Sequence, residues 1–107
     1  MRDSKTDGAV FEVIGSERSQ VVGLLDFGTV TPMLPLGASA IIAGHASTID
    51  LGGVTGGDSS GLALLIEWLS VAKEAQRSLR YENMPRQLRQ LARLSEVEEL
   101  LTGEPTV

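Results

Sequence analysis

The feature that most constrains this chain is a glycine-rich segment that leads directly into a long apolar helix. Residues 52–57 read Gly-Gly-Val-Thr-Gly-Gly, and we expect a loop there, because glycine supplies backbone freedom. Asp58 or Ser59 then suits the N-cap of a helix over 59–76, since its side-chain oxygen can accept a hydrogen bond from the first free amides.

The first half of this helix is apolar on every side over residues 61–66. A helix of this kind is either buried under another element or contributes to a docking surface. The pattern leaves both alternatives open.

Strand-like and helix-like stretches alternate along the rest of the chain. Strands are predicted over 10–14, 20–27, 47–51 and 78–81. Helices are predicted over 35–43, 59–76 and 85–94, with a last short helix that Ser95 and Glu98 would start as a capping box. The order β-β-α-β-α-β-α-α indicates an α/β domain with an initial hairpin and a largely parallel sheet after it.

The length and charge of the chain restrict its organisation and its partners. With 107 residues there is room for one domain, which we expect over 10–102, between a disordered tail at 1–9 and a tail at 103–107. The net charge is −5, although 77–93 contains five arginines and one acid. This balance disfavours nucleic acid and is compatible with an acidic protein partner or lipid head groups.

Two segments bear on location. Residues 1–8 are polar and lack the apolar core of a secretory signal. Residues 28–49 carry no formal charge and are long enough to cross a bilayer, but prolines, glycines and His45 interrupt them. We therefore expect a soluble domain without direct membrane insertion.

Two catalytic motifs overlap at the glycine-rich segment, and each lacks a required residue. Residues 52–59 have the spacing of a phosphate-binding loop, but Asp58 replaces the lysine and would repel phosphates. Residues 57–61 match the G-x-S-x-G elbow of serine hydrolases, which needs a histidine later in the chain. The only histidine, His45, precedes Ser59. The sequence therefore disfavours an enzyme.

No metal or cofactor is expected either. The chain has no cysteine, and Asp26, Asp50 and Asp58 have no histidine or cysteine companions at ligand spacing.

Ser59 has two interpretations. A hydroxyl at a helix start is usually a cap, and this is the favoured interpretation. Alternatively, Ser59 is a phosphorylation switch, since a phosphate there would meet free backbone amides and the positive end of the helix dipole. Asp58 would oppose the phosphate and could instead hold a partner's arginine or lysine, or a kinase's metal.

The helix over 85–94 has two predicted faces. Arg86, Arg89 and Arg93 share one face, which is either solvated or meets an acidic patch on a partner. The buried side is predicted to contain Leu88, Leu91 and Leu94.

Residues 48–55 followed by 58–65 resemble the signature of STAS domains, modules of anti-sigma-factor antagonists and sulfate transporters. In that signature a strand ends in Asp-Leu, here Asp50 and Leu51, and an Asp-Ser-x-Gly-Leu sequence, here 58–62, opens a helix. The resemblance covers roughly residues 10–102. It implies the STAS fold, a mixed sheet of four to five strands covered by about four helices.

Within the family, residues 62–68 and 91–95 are most similar to MlaB-type members. This implies a non-catalytic, cytoplasmic subunit that binds and regulates an MlaF-like ATPase subunit of an ABC-type phospholipid transporter. The resemblance further implies that the transporter maintains outer-membrane lipid asymmetry and that the subunit is peripheral to the inner membrane. The family's partner-facing hydroxyl falls on Ser59. The implied partner-binding residues are Asp58, Ser59, Ser60, Gly61, Leu62, Pro85, Gln87 and Arg89.

The alternative within the same family is an anti-sigma-factor antagonist that is switched by phosphorylation of Ser59. Its partner would be an anti-sigma-factor kinase.

Overall fold

A computed structural model describes residues 8–102, which form a sheet and four helices. The strands are β1 (Ala9–Gly15), β2 (Arg18–Leu25), β3 (Thr48–Gly57) and β4 (Arg80–Glu82). The helices are α1 (Val30–Ala43), α2 (Ser59–Glu74), α3 (Arg86–Leu94) and α4 (Glu98–Thr102). The predicted order of elements is confirmed. The predicted tails at 1–7 and 103–107 lie outside the described residues, whereas Ala9, also assigned to a tail, begins β1.

The four strands are arranged in the order β1-β2-β3-β4. β1 and β2 form the antiparallel hairpin, and the pairs β2–β3 and β3–β4 are parallel. The predicted α/β fold with a mixed sheet and four helices is therefore confirmed.

The core lies between one face of the sheet and the helices. Alternate side chains of β2 and β3 are buried, and the buried side chains of α1, α2 and α3 pack against them. Trp68 of α2 is fully buried, and its indole Nε1 donates a 3.1 Å hydrogen bond to the carbonyl of Leu34 in α1. This bond satisfies the polar atom that burial of a tryptophan brings into the core.

The opposite face of the sheet carries a polar network. Arg18 contacts Glu82 at 2.6 Å and Asp50 at 3.4 Å, while Asn83 donates a 3.0 Å hydrogen bond to Asp50. These charges join β2, β3 and the end of β4 across the exposed side.

The predicted glycine loop at 52–57 is wrong, because these residues belong to β3. None of its glycines has a positive φ. Their small size is used instead for close approach: a Cβ at Gly57 would lie 2.7 Å from the carbonyl oxygen of Leu25, and one at Gly53 would lie 2.9 Å from Val22 Cγ2. The register between β2 and β3 also shifts twice along this stretch. Here glycine marks tight packing of two strands.

Helix α1 begins at Val30, earlier than the predicted residue 35. Pro32 lies in its first turn, but Pro35 lies inside the helix and has no N–H to donate to the carbonyl of Thr31. The helix tolerates this loss on its exposed side. Gly44 ends it at φ 86°, as predicted for a glycine C-cap.

The predicted capping box at Ser95 is also wrong. Ser95 is the C-cap of α3, where its amide donates a 3.0 Å hydrogen bond to Leu91, and α4 begins only at Glu98.

Within 8–102, no helix has both the length and the apolar character needed to cross a bilayer. The uncharged stretch at 28–49 forms α1, the following turn and the start of β3.

Candidate protein-interaction site

The start of α2 is held by the carboxylate of Asp58, which is the N-cap in extended conformation. Its Oδ1 accepts hydrogen bonds from the amides of Ser60 at 2.8 Å and Gly61 at 3.3 Å. Of the two predicted N-caps, Asp58 is confirmed, and the favoured interpretation of Ser59 as the cap is wrong.

The same aspartate fastens the helix to the end of β2. Its amide donates a 3.2 Å hydrogen bond to the carbonyl of Leu25, and its Oδ2 accepts a 3.3 Å hydrogen bond from the amide of Phe27. Gly61 lies against the same strand end, since an added Cβ would collide with the Leu25 carbonyl oxygen. The first turn of α2 is thus fixed to the sheet on its inner side.

Ser59 is exposed at the first helical position, and its hydroxyl has no hydrogen bond to any other residue of 8–102. Asp58 occupies the amides of Ser60 and Gly61. A phosphate on Ser59 would therefore find these two amides occupied and a carboxylate beside it. The hydroxyl is free to contact another molecule.

The other predicted residues of this turn differ in exposure. Ser60 is half-buried, whereas Gly61 and Leu62 are buried, with Leu62 packed in the core. Within the turn, the surface available to a partner therefore consists of Asp58, Ser59 and part of Ser60. Gly61 and Leu62 hold α2 in place.

Helix α3 lies beside this turn, and the two form a groove of about 340 Å³. We call it the α2–α3 groove, and its lining consists of Gly57, Asp58, Ser59, Gln87, Gln90, Leu91 and Leu94. Gln87 Oε1 accepts a 3.3 Å hydrogen bond from the amide of Gly57, which ties α3 to the end of β3. The structure thus brings together the predicted residues Asp58, Ser59 and Gln87.

The other two predicted α3 residues lie outside the lining of this groove. Pro85 is the half-buried N-cap of α3. Arg89 is partly exposed and its guanidinium lies 3.9 Å from Glu98 of α4.

Four residues that line this groove were not predicted as site residues: Gly57, Gln90, Leu91 and Leu94. The prediction that Leu94 is buried with Leu88 is wrong, because Leu88 is fully buried whereas the Leu94 side chain is 81% exposed. At 3.6 residues per turn, each step of three residues falls about 60° short of a full turn. Leu94 is two such steps after Leu88, so the two side chains point about 120° apart around the helix axis. The signal was present in the spacing, and it places an apolar side chain at the edge of the groove.

The arginine row of α3 is partly neutralised within the domain. Arg93 Nε lies 3.5 Å from Glu98, the same carboxylate that faces Arg89. Arg86 has no ion pair with another residue of 8–102. An acidic partner would therefore meet mainly Arg86.

The structure does not assemble either of the two catalytic motifs. The glycines of the apparent phosphate loop lie in β3 and cannot wrap around a phosphate. His45 precedes β3 and Ser59 follows it, and a strand of ten residues is about 33 Å long, so the two lie at opposite ends. No three His, Asp or Glu residues in 8–102 are placed to hold a metal.

Fold and site together define a small α/β domain whose candidate site presents a free hydroxyl and an apolar edge for binding. The chain belongs to the STAS domain family: the profile of the family described as "Mlab, STAS domain" matches residues 17–102. A search of curated proteins finds no significant match.

Two solved structures similar to this chain are of SpoIIAA. The unphosphorylated anti-sigma factor antagonist SpoIIAA has a TM-score of 0.61 and 20% identity, with 80% of this chain and 82% of that chain covered. The Bacillus cell fate determinant SpoIIAA in its phosphorylated form has a TM-score of 0.64 and 19% identity, with 88% of each chain covered. At this identity the similarity establishes the fold.

Proposed function

We propose that this chain is a non-catalytic regulatory subunit that binds the ATPase subunit of an ABC-type phospholipid transporter through the α2–α3 groove. The observation that carries the proposal is the exposed Ser59 hydroxyl, free of intramolecular hydrogen bonds, in a groove bordered by the exposed Leu94. The description of the matching family supports the choice of an Mla-type partner.

The chemistry of the groove suits a protein partner. Asp58 is its one ionisable group, and Gln87 and Gln90 supply amides that can donate and accept. Apolar contact comes from Leu91 and Leu94. A surface that combines apolar contact with hydrogen-bonding groups is typical of protein interfaces. In this role the protein is cytoplasmic, is peripheral to the inner membrane through the complex, and contacts neither nucleic acid nor the bilayer interior.

The test compares two serines of the same helix. Ser59→Phe places a bulky side chain in the groove, whereas Ser70→Phe places it on an exposed residue eleven positions later, about 16 Å along the helix. We expect Ser59→Phe to weaken binding to the purified ATPase subunit more than tenfold and to remove the effect on ATP hydrolysis. Ser70→Phe should change neither. An unchanged complex and ATPase rate for Ser59→Phe would reject the proposal.

A second candidate is an anti-sigma-factor antagonist that an anti-sigma-factor kinase phosphorylates on Ser59. The exposed hydroxyl and the shared fold with SpoIIAA favour it. The nearby Asp58 carboxylate disfavours a stable phosphate at this position. Incubation with the cognate kinase and ATP, followed by mass spectrometry of the wild type and Ser59→Ala, decides between the two: absence of a Ser59 phosphate removes this candidate.

A further inference from the structure

Helix α1 presents an unusually apolar surface. It contains no charged residue, yet Leu34, Leu36 and Ile42 are 37%, 54% and 55% exposed. Phe27, just before the helix, is 81% exposed. Of these, Phe27 and Leu34 lie together, and neighbouring exposed apolar side chains on a small domain indicate a surface that another molecule covers.

This surface continues into a groove between α1 and α2 of about 430 Å³, which we call the α1–α2 groove. Its apolar lining consists of Phe27, Val30, Leu34, Ala63 and Leu64. Glu67 of α2 is its one ionisable lining residue, and Glu67 has no ion pair within 8–102. The groove therefore combines apolar walls with one unpaired negative charge.

The charge of the protein favours a protein occupant over a membrane surface. Helices that lie on membranes carry lysine or arginine to meet anionic lipids, and α1 has neither. The chain as a whole has a net charge of −5. An anionic bilayer would be repelled, whereas a protein segment with a basic residue would be attracted to Glu67.

The groove is also next to the α2–α3 groove. Ser60 lines the α1–α2 groove and Ser59 lines the α2–α3 groove, so the two grooves flank the first turn of α2. A partner docked on one side can reach the other without moving the domain.

We propose that the α1–α2 groove receives an amphipathic helix of the same ATPase subunit. Its apolar residues contact Phe27 and Leu34, and a lysine or arginine on its edge pairs with Glu67. Insertion of an amphipathic helix into an apolar groove is a common recognition mode. This inference rests on the proposed function for the identity of the partner.

Photo-crosslinking of the purified complex tests the contact. A benzophenone side chain is placed at position 34, or at position 22 as the control, because Val22 is 39% exposed on the opposite face of the sheet. We expect a crosslink from position 34 to a helix of the ATPase subunit with a basic residue within one turn, and none from position 22. Crosslinks from position 34 only to a second copy of the chain or to added lipid overturn the inference.

A charge reversal tests the pairing with Glu67. Glu67→Lys is compared with Glu74→Lys, a change of the same kind on the same helix at an exposed residue outside the groove lining. We expect Glu67→Lys to weaken the complex roughly three- to tenfold, since an exposed ion pair contributes modestly and like charges repel. Glu74→Lys should have little effect, and equal effects of the two changes overturn the pairing.

Failure of the proposed function can be distinguished from failure of this inference. If no complex forms with the ATPase subunit, the proposed function fails and this inference fails with it. If the complex forms and depends on Ser59 but position 34 gives no crosslink, only the inference fails.

Discussion

The amide of Phe27 donates a 3.3 Å hydrogen bond to Oδ2 of Asp58, so one carboxylate connects the end of β2 with the start of α2. Its other oxygen accepts from the first turn of the helix. The aspartate therefore fixes the direction in which α2 leaves the sheet, and with it the position of Ser59. The Asp58 carboxylate thus holds two exposed segments next to each other, the loop that contains Phe27 and the helix turn that contains Ser59.

Replacing this cap should destabilise the domain. We expect Asp58→Ala to lower the free energy of unfolding by about 1 kcal/mol, within the range measured for N-cap removal. Asp58→Asn keeps an acceptor oxygen and should cost less. Urea unfolding of the two variants and the wild type measures both effects, and equal stability of Asp58→Ala and wild type would contradict the assigned role.

Gly61 should resist substitution because of packing. A Cβ at this residue would collide with the carbonyl oxygen of Leu25, whereas one at Gly15 would lie 3.9 Å from its nearest neighbour. We expect Gly61→Ala to cost about 1–3 kcal/mol, as overpacking does, although alanine favours helices. Gly15→Ala is the control and should change thermal stability little. Similar melting temperatures for the two variants would show that the turn can relax.

Much of the fold can be predicted from the sequence. The predictions that are wrong share a physical cause, because each depends on contacts between elements that are distant in the sequence. The order of elements was predictable because hydrophobic periodicity and the Asp58 cap are local signals. The loop predicted at 52–57 is wrong because Gly53 and Gly57 serve close contact with β2, which the sequence of β3 alone does not reveal. The early start of α1 was missed because tertiary packing outweighs the lost hydrogen bond at Pro35.

Part of the candidate site could also be predicted, because some of its residues are neighbours in the sequence. Asp58 and Ser59 lie next to one another in the sequence, so their joint position at the helix start was expected. The α2–α3 groove, by contrast, depends on how α3 is rotated about its axis. That rotation buries Leu88 and exposes Leu94, and it is set by packing against α2 and β3.

The exposed Leu94 should contribute to partner binding and little to folding. With 81% of its side chain exposed, Leu94→Ser removes almost no buried surface. We expect unchanged urea unfolding but a roughly tenfold weaker complex with the ATPase subunit, as for an apolar side chain that binding of the partner buries. Leu100→Ser is the control, because Leu100 is 58% exposed on α4 and lies outside the groove lining. Equal affinities for the two variants would exclude Leu94 from the interface.

The polar network on the open face of the sheet should make the free energy of unfolding decrease as the solution becomes acidic. The hydrogen bond from Arg18 lowers the pKa of Glu82, and Arg80 adds to this effect. The pKa of Asp50 is lowered chiefly by the hydrogen bond from Asn83. A carboxyl whose pKa is lowered by folding contributes stability that is complete above its unfolded pKa and is lost as the pH falls through its folded pKa. For these carboxyls the loss begins below about pH 5.

Removing the charge of Glu82 should therefore weaken the pH dependence. We compare urea midpoints at neutral pH and at about pH 3 for the wild type, Glu82→Gln and Glu12→Gln. The network does not include Glu12, which accepts a hydrogen bond from Gln20, so Glu12→Gln should follow the wild type. Glu82→Gln should be less stable than the wild type at neutral pH and should approach it in acid, because protonation removes the same ion pairs from the wild type. If the curves of the wild type and Glu82→Gln stay parallel down to about pH 3, the contacts between Arg18 and Glu82 contribute nothing to folding.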